Sequence, residues 1–218
     1  GDVNGYLINN QGIDVNKLSK HYLKNKKINQ FKGAKFINKP ANVLLLNCDI
    51  LVPAATESVI NFKNAKKVKA KLIVEAANGP ITYRADKILN KRGIDILPDI
   101  FVNAGGVIVS YYEWVKNISH IRFGRLQRRF DEQKMRGIIG IIEKSTNKPT
   151  SPKLYKKITS GATEKDLAYS GLEDTMREAF QEILGEKNKN KKLNFRTAAY
   201  AIALKKLRKF HDTVGMYN

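Results

Sequence analysis

Cysteine occurs once in these 218 residues and histidine three times. A lone thiol, Cys48, excludes an internal disulfide framework and fits a reducing compartment. His21, His120 and His211 lie far apart, with no cysteine or carboxylate at ligand spacing, so no metal site is expected. No apolar run approaches the roughly 20 residues of a membrane-spanning helix, and residues 138–142 are interrupted by Gly140. The G-x-G-x-x-G turn that seats a pyrophosphate in many nucleotide-binding folds is absent as well. Acidic residues are scarce: 20 stand against 40 Lys and Arg, leaving a formal charge of +20.

The surplus lies in runs. Lys63, Lys66, Lys67, Lys69 and Lys71 form one, and Arg122, Arg125, Arg128, Arg129, Lys134 and Arg136 another. Residues 187–192 form a third, and Lys205, Lys206, Arg208 and Lys209 a fourth. Such a field suits a polyanion, RNA phosphate being the most general. A solvated lysine-rich surface is the other reading.

Residues 103–114, Asn-Ala-Gly-Gly-Val-Ile-Val-Ser-Tyr-Tyr-Glu-Trp, place an amide, a glycine pair and a hydroxyl at the start of an amphipathic helix. Val107, Tyr111, Trp114, Val115 and Ile118 recur at helical spacing, so that face is expected to be buried. The helix is predicted to begin near Gly105 and Gly106, where unpaired N–H groups can meet a polar ligand. Asn103 can donate and accept at once, which suits a carboxamide. Capping of its own helix is the alternative.

Upstream, Cys48-Asp-Ile-Leu-Val-Pro-Ala-Ala55, Lys71-Leu-Ile-Val-Glu-Ala-Ala-Asn78-Gly-Pro80 and Ile94-Asp-Ile-Leu-Pro-Asp99 each close a strand-like run. With the stretch at 103–114 they resemble the back half of the coenzyme domain of glutamate dehydrogenases, of the animal and protist mitochondrial type. The resemblance runs from Asp2 to Arg196-Thr-Ala-Ala-Tyr200. It implies an α/β fold: a truncated Rossmann-type parallel sheet over 1–122, an antenna-like basic insertion over 123–165, and C-terminal helices over 166–218. It also implies that Asn103 holds a nicotinamide carboxamide, Asn78 lies on the ribose side, and Ala54 and Ala55 line the cofactor pocket. Ser110 would bond the side-chain carboxylate of glutamate, and Val107 would shape its aliphatic slot. The pyrophosphate turn and the family's catalytic lysine and aspartate are expected ahead of Gly1. This span alone is therefore expected to be neither cofactor-binding nor competent; NAD or NADP enters only with the preceding half. Where the family usually reads Gly-Ala-Asn, this chain has Ala76-Ala77-Asn78.

Local signals place helices at 15–25, after Thr56, and at 82–91 with a stop at Gly93. Another is expected from a capping box at Ser170 and Glu173, interrupted by the lysines of 187–192. In the last helix Ala199, Ala203, Leu207 and Phe210 read as core. Phe123, Phe130, Ile138, Ile139 and Ile142 give the basic insertion something to pack. The strand around 44–52 is expected to be an orphan edge that another chain must cover.

Two function classes follow. One is a dehydrogenase-derived, non-catalytic subunit of a large basic assembly, mitochondrial and RNA-containing, such as a ribosome. Arg122, Arg125, Arg128, Arg129, Lys134 and Arg136 are then its phosphate contacts. The other is part of an active, hexameric, NAD(P)-dependent glutamate dehydrogenase yielding 2-oxoglutarate and ammonia. Both readings place it in the mitochondrial matrix. If RNA is the partner, filter-binding affinity should fall steeply with salt, each lost phosphate contact reducing the log–log slope by about one. Affinity indifferent to salt would end that reading.

Overall fold

The computed structural model describes residues 1–119, 125–190 and 192–215. They form two compact units, Gly1–Asn103 with Glu182–Asn218, and Ala104–Gln181.

The first unit opens with β1 (Tyr6–Ile8), which pairs antiparallel with β2 (Lys35–Ile37) in a two-stranded sheet. Between them runs α1 (Val15–Asn25), on the expected span; its cap is Asp14, which accepts the Lys17 N–H at 3.0 Å, and Lys26 ends the helix at φ 56°. The strand expected around 44–52 is confined to β3 (Ile50–Leu51), because Pro40–Leu45 turns as a 3-10 helix whose Leu44 and Leu45 pack on the core. Proline at its start sets φ for that turn.

The helix expected after Thr56 does not form. Ser58 is left-handed at φ 57°, a conformation that no α-helix admits. Asn61 and Asn64 then bind the local backbone: Asn64 Oδ1 accepts the Asn61 N–H at 2.8 Å, and Asn64 Nδ2 donates to the Val59 carbonyl at 2.8 Å. Asparagine competes with helical hydrogen bonding in this way, and only a short 3-10 turn, Ala65–Lys67, follows.

β4 (Leu72–Val74) and β5 (Asp95–Leu97) complete a parallel sheet of order β3-β4-β5, with Leu51 opposite Ile73 and Ile73 opposite Ile96. Between them runs α2 (Tyr83–Lys91), stopped at Gly93 with φ 75°. The core is Ile60, Ala65, Val68, Ile73, Ala85 and Leu89, all at 0% exposure. Arg92 clamps the turn beside it, donating to the carbonyls of Ala65 and Val68, each at 2.7 Å. Among the described residues no strand pairs with the outer side of β3, where Ile50 and Val52 are exposed.

A short helix, α3 (Asp99–Val102), follows β5, and α8 (Phe195–Val214) starts from Asn194, which accepts the Thr197 N–H at 2.8 Å. Ala198 and Ala199 join Ile183 in a second small core with Phe101, Phe195 and Ile202. The expectation of core packing fails further along α8: Leu207 and Phe210 are 65% and 66% exposed. Beyond Ile202, α8 is tied through Lys205 and Lys206 to Glu186 and Glu182, and among the described residues neither buried cluster takes in Leu207 or Phe210.

The second unit holds α4 (Ala104–Ser119), α5 (Arg125–Thr146), α6 (Pro152–Thr159) and most of α7 (Glu164–Lys189). The capping box sits at Thr163 and Asp166 rather than at Ser170 and Glu173. Asp166 accepts the Thr163 N–H at 2.8 Å and returns its own N–H to Thr163 Oγ1 at 3.2 Å. α7 then runs unbroken through Ser170 and as far as Lys189, and Glu173 pairs with Arg177. α5 and α6 pack on each other. Of Phe130, Ile138, Ile139 and Ile142, Ile139 alone is buried; Phe123 lies outside the described residues. The apolar face of α4 is not buried: Val107, Tyr111, Trp114 and Ile118 are all more than half exposed.

Truncation of a fully packed strand residue should be costly and truncation of an exposed helix residue should not. Ile73→Ala is expected to lower unfolding free energy by about 2–5 kcal/mol in urea titration, and Leu207→Ala by about 0.5 kcal/mol or less. Equal losses would contradict this placement of the core.

Candidate functional site

Three loops leave the carboxyl ends of β3, β4 and β5, the edge at which open parallel sheets bind ligands. The backbone stitches them together. Ala76 and Ala77, after β4, donate to the Pro53 carbonyl after β3, at 3.1 and 3.0 Å. Glu75 donates its N–H to the Leu97 carbonyl at 3.1 Å, and its Oε2 accepts the Asp99 N–H at 2.8 Å. Asp99 returns the link, its Oδ2 accepting the Gly79 N–H at 2.8 Å. Gly79 turns at φ 53°, where a side chain would be strained. On top of this lattice Asn103 Nδ2 donates to Asn78 Oδ1. Two amides from different loops thus meet at the sheet edge, Asn78 exposed and Asn103 half-buried.

Beneath the pair lies a charge cluster. Arg196 donates from Nη2 to Glu75 Oε1 at 2.7 Å, from Nε to Asp86 Oδ1 at 2.9 Å, and from Nη1 to Asp99 Oδ1 at 3.2 Å. Glu75 has no exposed surface. Its burial pushes its carboxyl above the ordinary glutamate range, against the pull of Arg196 and the Asp99 N–H. Desolvation opposes the Arg196 charge, but the hydrogen bonds it donates to Glu75 and Asp86 outweigh it and hold the guanidinium above its usual pKa. Removing one partner from a buried pair of this kind costs about 3–5 kcal/mol.

Residues 1–163 match the model of the Glutamate/Leucine/Phenylalanine/Valine dehydrogenase family. The chain belongs to this family. It is 42% identical to the mitochondrial glutamate dehydrogenase of Dictyostelium discoideum over 97% of its length and 42% of that protein's. It is also 42% identical to a probable glutamate dehydrogenase of Sinorhizobium fredii, over 93% of its length and 46% of that protein's. It spans less than half the length of these curated relatives. A solved glutamate dehydrogenase from Peptoniphilus asaccharolyticus superposes with a TM-score of 0.62 at 29% identity, over 97% of this chain and 38% of that one. The Rossmann-type α/β fold is accordingly that of the family's coenzyme domain.

Of the residues singled out in the sequence, Asn78 and Asn103 come together, and Ala54 and Ala55 lie exposed in the neighbouring loop after β3. Val107 and Ser110 are three residues apart on α4, in the second unit; Val107 is exposed and the Ser110 hydroxyl donates to the Gly106 carbonyl at 3.0 Å. Among the basic residues, Arg122 lies outside the described residues and Arg125 opens α5. Arg128 is bonded to Glu132 at 2.8 Å. Arg129 and Arg136, seven residues apart, share a face of α5, while Lys134 lies about 140° round the helix from Arg129. They do not form one stripe. Arg196 escaped the sequence reading except as part of a motif; its only local signal was a charge in the first turn of an otherwise apolar helix start.

Because Glu75 titrates above its unfolded value, the folded state holds more protons than the unfolded state in that window, and stability falls as pH rises through it. Relative to Glu75→Gln, the wild type should be most stable below the ordinary glutamate pKa, losing that advantage as pH rises through Glu75's raised pKa. Urea titrations from about pH 4 to pH 8 would measure this; a difference flat with pH would contradict it.

Proposed function

We propose that the chain is the nicotinamide-side part of the coenzyme domain of an NAD(P)-dependent glutamate dehydrogenase, the activity being conversion of glutamate to 2-oxoglutarate and ammonia. One observation carries the reading: the amide pair Asn78–Asn103, braced at the carboxyl edge of the parallel sheet. With one N–H directed to Asn78, Asn103 keeps a carbonyl and a second N–H, complementary to the donor and acceptor of a carboxamide. The residues present fit the nicotinamide end of the cofactor; the sequence offers no glycine turn for its diphosphate. Bound, the dinucleotide supplies the hydride acceptor. Asn103 orients its carboxamide, Asn78 meets the ribose side, and Ala54 and Ala55 bound the pocket without polar competition. Ser110 and Val107 serve the carboxylate and methylenes of glutamate.

The sequence favoured a structural, RNA-associated role, and that order is reversed here. Net charge is the support for RNA, and a dinucleotide or any polyanion meets it equally. The amide pair is specific. Identity of 42% to glutamate dehydrogenases from two distant sources supports derivation from that enzyme. A mitochondrial location, as named for the Dictyostelium relative, and an oligomeric enzyme go with this reading. The Thermus thermophilus structural neighbour is a hetero-hexamer.

In the full-length protein, Asn103→Ala should raise KM for NAD or NADP by about 10- to 100-fold, the loss of one or two charge-neutral hydrogen bonds. KM for glutamate should move by about twofold or less. Steady-state kinetics with both cofactors would measure this, and an unchanged cofactor KM would sink the proposal.

A further inference from the structure

The Arg196 cluster links parts of the chain that no local rule connects. Its three carboxylates come from the end of β4 (Glu75), from α2 (Asp86) and from the start of α3 (Asp99), while the guanidinium comes from α8. Two of these carboxylates have second duties at the candidate site. Glu75 Oε2 accepts the Asp99 N–H and so fixes where α3 begins; Asp99 Oδ2 accepts the Gly79 N–H and so fixes the turn beside Asn78. α3 in turn ends at Asn103, whose N–H returns to the Asp99 carbonyl at 3.1 Å. Arg196 therefore reaches Asn78 through Asp99 and Gly79, and reaches Asn103 through Asp99 and α3. Without a cation, three carboxylates within hydrogen-bond reach of one point would repel each other and draw the two loops apart.

We propose that Arg196 is the positioning residue of the amide pair: its three-way grip on Glu75, Asp86 and Asp99 sets the Asn78 turn and the Asn103 helix at the spacing a carboxamide requires. The inference rests on the reading of Asn78 and Asn103 as the nicotinamide contacts. It makes the C-terminal helix, which supplies none of those contacts, a determinant of cofactor binding. The fork geometry matters. A lysine ammonium is a single point and cannot hold three carboxylates in fixed directions, so Arg196→Lys restores charge without restoring register.

The test compares wild type, Arg196→Met and Arg196→Lys in the full-length protein without cofactor, by hydrogen–deuterium exchange. Loops 76–80 and 98–103 should exchange about tenfold faster or more in Arg196→Met and by an intermediate factor in Arg196→Lys, with the core segment 59–74 unchanged. NADH and NADPH, each titrated alone by fluorescence, should bind about tenfold more weakly or worse, the cofactor KM rising with little change in glutamate KM. If Arg196→Met does not fold, Arg196→Lys carries the same readouts. Exchange that rises equally in 59–74 would reduce Arg196 to a general structural role and overturn the proposal, as would loops that do not respond. Looser loops with unchanged NADH and NADPH binding would uphold the positioning role of Arg196 and refute the nicotinamide reading of Asn78 and Asn103.

Discussion

A carboxylate with no exposed surface must be paired or neutralised, and Glu75 is one. It ends the central strand of the parallel sheet, so its charge cannot be moved to water without opening the sheet edge. The chain answers with Arg196, 121 residues later. Around that pairing Asp86 and Asp99 bring α2 and α3 onto the same guanidinium, and α8 is held against β5 and α3. The loops after β4 and β5 are tied to α8 through this one desolvated contact, and apolar packing of Phe101 on Ala198 and Ala199 adds to it.

Hydrogen-bonding side chains decide the local structure elsewhere as well. The segment between β3 and β4 carries a helix-start pattern, yet Asn61 and Asn64 satisfy its backbone groups directly, and Ser58 is left-handed. Thr163 and Asp166 start α7 seven residues ahead of the pair at Ser170 and Glu173 that shows the same pattern.

The charge surplus has a structural side. Many of the 20 acids are committed to particular cations: Asp49 to Lys71, Glu132 to Arg128, Glu164 to Lys116, Glu182 to Lys206, Glu186 to Lys205. These pairs, each with a solvent-facing cation, contribute little stability individually. They leave most lysines solvated, and a surface of that kind attracts phosphate in general without selecting among its bearers.

The family resemblance implied the fold class and Asn78; the sequence by itself determined the succession of the three strands, the spans of α1 and α2 with the stop at Gly93, and Asn103 as a residue of interest. Each of these rests on periodicity, turn chemistry or a motif contained within about 20 neighbouring residues, and information of that range survives in a linear reading. Only the tertiary structure decided that the two amides meet, that Arg196 braces the loops carrying them, and that the apolar faces of α4 and of distal α8 lie exposed. The physical reason is range. Burial of a periodic face depends on what arrives opposite it, and the partner of Glu75 lies more than half the chain away, where a single arginine among 40 basic residues carries no local mark of its role.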